Sequence, residues 1–357
     1  MTKFYPLSVV NIERTTKDCS VVTLEVPEDK RSIFDFMQGQ YLTLRTEING
    51  EEVRRSYSLC SSPMDQKWSV AIKQIEGGLF STFANTELAI GDELEVMPPM
   101  GNFFIDVDTT KKRNYICFAA GSGITPILSI IKTHLILEPD STFKLFYVNQ
   151  TVSSIILKEE LEGLKNIFLD RLEIFHFLTR EQRDIPLLNG RIDQQKLRSI
   201  FSAICRLDQV DHCFVCGPKE MIFLIRDELE AAGFPKENIH YELFFSGDAK
   251  VVVPKPAQAQ PPLATGVGVT IIDGGKEFHF QMPPEHDNIL DAALGAGADL
   301  PYACKGGVCS TCKCKILEGS VNMKTNYALE AEEVANHFIL SCQAVPTSDF
   351  VKVDFDV

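Results

Sequence analysis

Apolar and polar positions alternate along the first third of the chain. CSVVTLEV, QYLTLRTEI, KWSVAIKQI and DELEVMPP follow one another up to about residue 107, divided by turn signals at Asn49-Gly50 and Gly77-Gly78. A period of two puts one face of each segment on a core, which predicts an antiparallel barrel or sandwich. From Arg113 to about Phe245 the pattern changes. Apolar runs (NYICFAA, FKLFYVN, LEIFHFL, HCFVCG) alternate with helical stretches (TPILSIIKTHLIL, KEELEGLKN, KEMIFLIRDELEAAG). Strands buried on both faces and separated by helices predict a parallel, doubly wound sheet. Residues 248–265, DAKVVVPKPAQAQPPLAT, are rich in Pro, Ala and Gln without amphipathic period and read as an extended linker. After it come a hairpin with a Gly-Gly turn (GVTIIDGGKEFHF), a helix (ILDAALGAG), a cysteine-rich loop and a closing strand at Phe350 to Phe355. The expected fold is multidomain: an antiparallel β-barrel over 1–108, an α/β parallel-sheet domain over 109–247, the linker, and an α+β domain over 266–357.

Composition adds bounds. At 357 residues and 45% hydrophobic the chain can bury more than one core. A net charge of −14 argues against a nucleic-acid surface. The longest uncharged run, Tyr115 to Ile131, is interrupted by Gly121, Gly123 and Pro126 and is too short to span a membrane. MTKFYPLSVVNIERTT has no secretory pattern, so the expectation is a cytoplasmic protein without membrane or nucleic-acid partners.

Eleven cysteines bring in chemistry. Six are scattered, and most of these read as buried thiols. Cys304, Cys309 and Cys312 are spaced C-x4-C-x2-C, with Cys342 following. That is the arrangement of plant-type two-iron, two-sulfur sites, whereas zinc sites usually pair their cysteines twice. Gly306 and Gly307 let the backbone aim N–H groups at sulfur. Cys314, on the following strand, reads as core.

A two-iron cluster accepts one electron at a time, so a nicotinamide donor needs an intermediary that takes a hydride and releases electrons singly. A flavin does so. In RRSYSL, Arg55 suits a flavin phosphate, Tyr57 the ring face and Ser58 the region of its reactive nitrogen, although the same residues fit an ordinary amphipathic strand. Lys73, Gly78, Ser81 and Thr82 join the flavin set, because a helix beginning after Gly77-Gly78 presents N–H groups to a pyrophosphate; a hairpin turn with an N-cap is the alternative. AAGSGITP, short of a full G-x-G-x-x-G, offers Gly121, Gly123, Thr125 and Pro126 at a strand-to-helix junction, and Cys216, Gly217 and Pro218 close the last apolar strand, at the edge where open sheets bind ligands, although a plain strand-turn-helix connection fits them almost as well.

R-x-Y-S, G-S-G-I-T-P, C-G-P and the cysteine pattern, in this order, resemble the ferredoxin-NADP reductase superfamily with a fused plant-type ferredoxin. LPYACKGGVCSTCKCKILEGSV, ILDAAL, TNYALE and LSCQA are similar to the reductase subunits of phenylacetyl-CoA epoxidase complexes. The resemblance implies FAD in the barrel, NADPH (NADH possible) in the α/β domain, a β-grasp 2Fe-2S domain, and oxygenase subunits of a multicomponent monooxygenase as partners. It implies Glu242 near the flavin, Phe244 shielding its ring, and a catalytic set of Tyr57, Ser58, Cys216 and Glu242. Gln150 stands where NADPH-preferring relatives often carry arginine, and Arg180 in TREQ is the alternative holder of a 2'-phosphate, or else a surface ion-pair residue. The same chassis also serves ring-hydroxylating dioxygenases and steroid hydroxylases, and a redox-sensing iron-sulfur protein is the reading from another class.

Overall fold

A computed structural model describes residues 3–244, 266–283 and 286–357; the linker expected over 248–265 lies outside them. Pro6–Val53 and Tyr57–Phe244 form one compact unit, and the residues from 266 onward are the body of a second.

In the first unit, six strands run in the order Glu51–Ser58, Tyr41–Ile48, Glu93–Val96, Tyr5–Thr16, Cys19–Glu25, Trp68–Lys73. An antiparallel bridge from Leu59 to Val70 joins the two ends of that order, so the sheet closes as a barrel and leaves no long edge. Tyr5–Thr16 escapes the alternation rule because register shifts between Val9 and Asn11 and between Arg14 and Thr16 interrupt the period of two.

Five parallel strands follow, ordered Ile239–Leu243, His212–Gly217, Asn114–Ala120, Thr142–Asn149, Leu172–Leu178. The chain order reverses between Asn114–Ala120 and His212–Gly217, which makes the carboxyl ends of these two strands the switch point of the sheet. The Ile124–Leu137 helix is apolar nearly all round and is buried almost throughout. Barrel and sheet share one core, in which Cys19, Val21, Cys60 and Ala71 pack with Ile127, Ile130 and Phe214. Polar contacts fix the register of this join: the Ser129 hydroxyl donates to the Ser61 carbonyl at 2.6 Å, and Lys132 pairs with Asp65 at 2.6 Å.

The second unit is an α+β fold. Its sheet runs Lys276–Met282, Val267–Asp273, Phe350–Asp354, Lys313–Glu318, Phe338–Leu340, with a parallel pair at Val267–Asp273 and Phe350–Asp354 and the Ile289–Gly295 helix packed on its core. Cys314 is fully buried in that core.

Candidate functional site

Two places gather the residues that the sequence singles out. In the second unit the cysteine loop lies between the Ile289–Gly295 helix and the Lys313–Glu318 strand, and Cys342 arrives from beyond the Phe338–Leu340 strand. The thiols of Cys304 and Cys309 hydrogen-bond each other, as do those of Cys312 and Cys342. Four cysteine thiols gathered as two pairs would be able to hold the two irons of such a cluster. The donor set therefore fits a 2Fe-2S cluster.

Backbone donors point the same way. The Gly306 N–H reaches the Cys304 sulfur at 3.3 Å. Its neighbour Cys309, chiefly, and then the N–H groups of Gly306 and Val308 bring the Cys304 thiol down to about 6, against the opposing effect of burial. Cys342 is also lowered, first by Cys312 and further by the Gln343 side chain and the Gly307 N–H. Their partners Cys309 and Cys312 are pushed the opposite way, by the same thiol–thiol bonds and by burial, so each pair holds one thiol disposed to lose its proton and one that gives it up only to a metal.

The other site forms at the carboxyl edge of the parallel sheet. Ser58 ends the Glu51–Ser58 strand and is buried; its hydroxyl donates to Oε2 of Glu242 at 3.1 Å. Part of the Glu242 residue reaches the surface, but its carboxyl is enclosed by protein, and that burial raises it to about 8, Ser58 opposing. Cys216 is in register with Glu242 on the neighbouring strand. Its thiol is fully buried, and burial with the nearby Glu242 charge pushes it well above its ordinary value, so it remains protonated.

The glycines at the switch point serve packing first. A Cβ on Gly123 would lie 2.2 Å from the Cys216 carbonyl oxygen, and one on Gly217 would lie 3.0 Å from the Ala120 Cβ. The two loops touch backbone to backbone, which holds the 121–123 turn beside the 216–218 turn. Gly121, with φ of 54° and open space where a Cβ would stand, is the one whose exposed face is free for a ligand. Thr125 and Pro126 are buried in the first helical turn, and Thr125 donates its hydroxyl to the Ser122 carbonyl at 3.0 Å. Pro218 is exposed and precedes the Lys219–Ala231 helix.

Around the barrel end, the Tyr57 ring lies 5.6 Å from that of Phe80, and Arg55 is exposed with one guanidinium N–H on the Arg54 carbonyl. Gly78 is the N-cap of the Leu79–Thr86 helix. The Ser81 hydroxyl is engaged locally, accepting from the Ile75 N–H at 3.1 Å and donating to the Gly78 carbonyl at 3.3 Å, while Thr82 accepts from Gln74 at 3.5 Å. Lys73 stands 3.8 Å from Asp18. Arg180 follows the Leu172–Leu178 strand, three strands from Cys216, or about 14 Å at the usual strand spacing. Its guanidinium is exposed and, among the described residues, carries no ion pair. Phe244, exposed, follows the Ile239–Leu243 strand.

Sequence reasoning passed over Tyr147, which reads as part of an apolar strand. Its buried hydroxyl donates to the Gly121 carbonyl at 2.9 Å and pins the turn. A tyrosine in an otherwise apolar run is itself the signal, since a buried O–H needs a partner.

Known proteins resemble the chain along its whole length. Residues 6–105 match the family described as oxidoreductase FAD-binding domain, 118–227 the oxidoreductase NAD-binding domain, and 271–347 the 2Fe-2S iron-sulfur cluster binding domain. A subunit of the 1,2-phenylacetyl-CoA epoxidase of Escherichia coli (strain K12) is 42% identical over 356 residues, covering 100% of this chain and 99% of that one. The ferredoxin reductase component of 3-ketosteroid-9-alpha-monooxygenase from Rhodococcus rhodochrous is 32% identical over 353 residues, 98% of this chain and 96% of its own. The solved structure of phthalate dioxygenase reductase shares the fold, with a TM-score of 0.60 over 99% of this chain and 98% of that one, at 23% identity.

Proposed function

The chain belongs to the ferredoxin-NADP reductase superfamily, among the oxygenase reductases with FAD-binding, NAD-binding and C-terminal 2Fe-2S domains, and from that premise we propose that it carries electrons from NADPH to a diiron oxygenase that epoxidises phenylacetyl-CoA. It is an NAD(P)H-dependent oxidoreductase. The observation that carries the choice of acceptor is the 42% identity sustained over 356 residues, through the C-terminal domain that must meet an oxygenase as well as through the shared chassis.

FAD held in the barrel would supply the conversion of a hydride's electron pair into single electrons, which a one-electron cluster demands. The chain's own residues supply the setting. Ser58 and Glu242 face each other where the barrel meets the sheet, and with its carboxyl raised to about 8, Glu242 holds a proton at neutral pH. A neutral carboxyl puts no negative charge beside a group that is gaining electrons. The Ser58 O–H keeps that carboxyl in place. Tyr57, against Phe80, offers a ring face, and Arg55 an exposed guanidinium for phosphate. The Gly121 turn and the Cys216–Pro218 turn receive the nicotinamide half of the donor, and Arg180, at the far strand, takes a 2'-phosphate. Cys304, Cys309, Cys312 and Cys342 hold the cluster.

Purified protein mixed with the oxygenase components that act on phenylacetyl-CoA should consume NADPH in step with epoxide formation. Faster, better coupled turnover with a steroid or ring-hydroxylating oxygenase would overturn the acceptor while leaving the reductase chemistry intact. Protein without iron, acid-labile sulfide or flavin would overturn both.

A further inference from the structure

We infer that the side-chain amide of Gln343 is a positioning residue that sets how readily the iron-sulfur site accepts its electron, through an N–H bond to the Cys342 sulfur. The inference rests on the 2Fe-2S reading of the four cysteines. Gln343 follows a ligand, and its half-buried side chain turns back toward the loop. Its Nε2 lies 2.9 Å from the Lys305 carbonyl and 3.5 Å from the Cys342 sulfur. An amide nitrogen carries two hydrogens, so one bond holds the ligand loop and the other serves the thiolate.

The surroundings leave this side chain little freedom. Gly307 has φ of 77°, and a Cβ on it would stand 2.9 Å from the Thr325 carbonyl oxygen and 3.1 Å from Cγ of Gln343. The Tyr327 N–H donates to the Gly307 carbonyl at 3.0 Å, and the Gln343 carbonyl accepts from the Lys324 N–H at 2.9 Å. The loop is thus threaded between residues 324–327 and the Gln343 side chain, and the amide cannot swing away without releasing it.

The direction of the effect follows from charge. When one electron, supplied by the flavin of the same chain, turns one ferric ion ferrous, no bond breaks and no proton is taken up. The added negative charge therefore spreads onto the sulfurs. An N–H aimed at a thiolate is worth more after that charge arrives than before, so it favours the reduced form. Gln343 is the donor that a substitution can remove.

The test uses Gln343→Met and Gln343→Glu in the full-length holoprotein, both close to glutamine in length and neither offering an amide donor. Redox titration of the cluster, followed by its visible and paramagnetic-resonance signals, should show the equilibrium constant for accepting an electron falling in Gln343→Met, by up to about fivefold, the limit reached if the worth of one ordinary hydrogen bond is gained only on reduction. That is about 40 mV, at about 59 mV per tenfold for one electron. Gln343→Glu should fall further, because it adds a negative charge. Iron and sulfide content, and the rate at which NADPH bleaches the flavin, should remain those of the parent. An unchanged potential in a variant that retains its cluster would overturn the inference. Loss of the cluster from both variants would overturn it as well, by making Gln343 a loop clamp only. Parent protein lacking iron would instead defeat the reading on which the inference rests.

Discussion

The cysteine loop and the crevice at the switch point are built in opposite ways. Three of the four cysteines lie within nine consecutive positions, and a short loop with N–H groups turned inward brings them together. Ser58 and Glu242 are separated by 184 residues and meet only because a barrel and a parallel sheet share a core. One site is a local conformation that collects charge and offsets it with donors. The other is a tertiary junction that keeps a carboxyl neutral by enclosing it. Damage to the loop should therefore be confined to one step of electron transfer, whereas damage to the junction should spread through binding, stability and pH dependence together.

The sharpest break is Cys309→Ser. Removing one ligand of the thiol set should abolish reduction of a protein acceptor while NADPH-dependent reduction of ferricyanide, which draws on the flavin alone, persists. Loss of both activities would show that the two regions are not separable.

Gly123→Ala attacks the junction. The new methyl would stand 2.2 Å from the Cys216 carbonyl, a contact with backbone on both sides that no side chain can relieve. Overpacking of this kind costs about 1–3 kcal/mol. Thermal unfolding should come several degrees lower and NADPH should bleach the flavin more slowly, with the cluster's spectrum unaltered.

Glu242→Gln tests the enclosed carboxyl. In the native protein Glu242 holds its proton up to about 8, whereas in the unfolded chain it releases it near 4.5. The folded state then binds more protons between those values, so this group makes stability fall as pH rises through that window; below it the effect vanishes, and above it the loss is complete. Glutamine does not titrate. The melting temperature of Glu242→Gln should decline less than that of the parent between pH 5 and 8, and equal declines would place the carboxyl in water.

Tyr147→Phe is the gentlest probe. It deletes only the hydroxyl that holds the Gly121 carbonyl at 2.9 Å. A bond of this type contributes about 1 kcal/mol, so KM for NADPH should rise about fivefold with little change in kcat. A fall in kcat alone would mean that the turn serves the hydride step rather than binding.

Much of this molecule is written in short range. Period-two alternation marked most barrel strands, and apolar runs alternating with helices marked the parallel sheet, because each pattern reflects which face a local element must bury. The C-x4-C-x2-C spacing named the cluster for a similar reason: three ligands on one loop need little from the rest of the fold. Tyr5–Thr16 was hidden because its irregular register breaks alternation, and only its barrel neighbours define its course. The two glycines of GSGITP looked alike in sequence, yet Gly121 faces open space and Gly123 lies against Cys216, a distinction made by a strand that arrives nearly a hundred residues later. The high proton affinity of Glu242 and the bond from Gln343 to Cys342 belong to the same class. Sequence alone determined which elements form and which chemistry they can hold, since propensity, periodicity and ligand spacing act between near neighbours. Burial, close approach of backbones and the charge state of a carboxyl depend on what packs against a residue from distant parts of the chain, and those the tertiary structure decided.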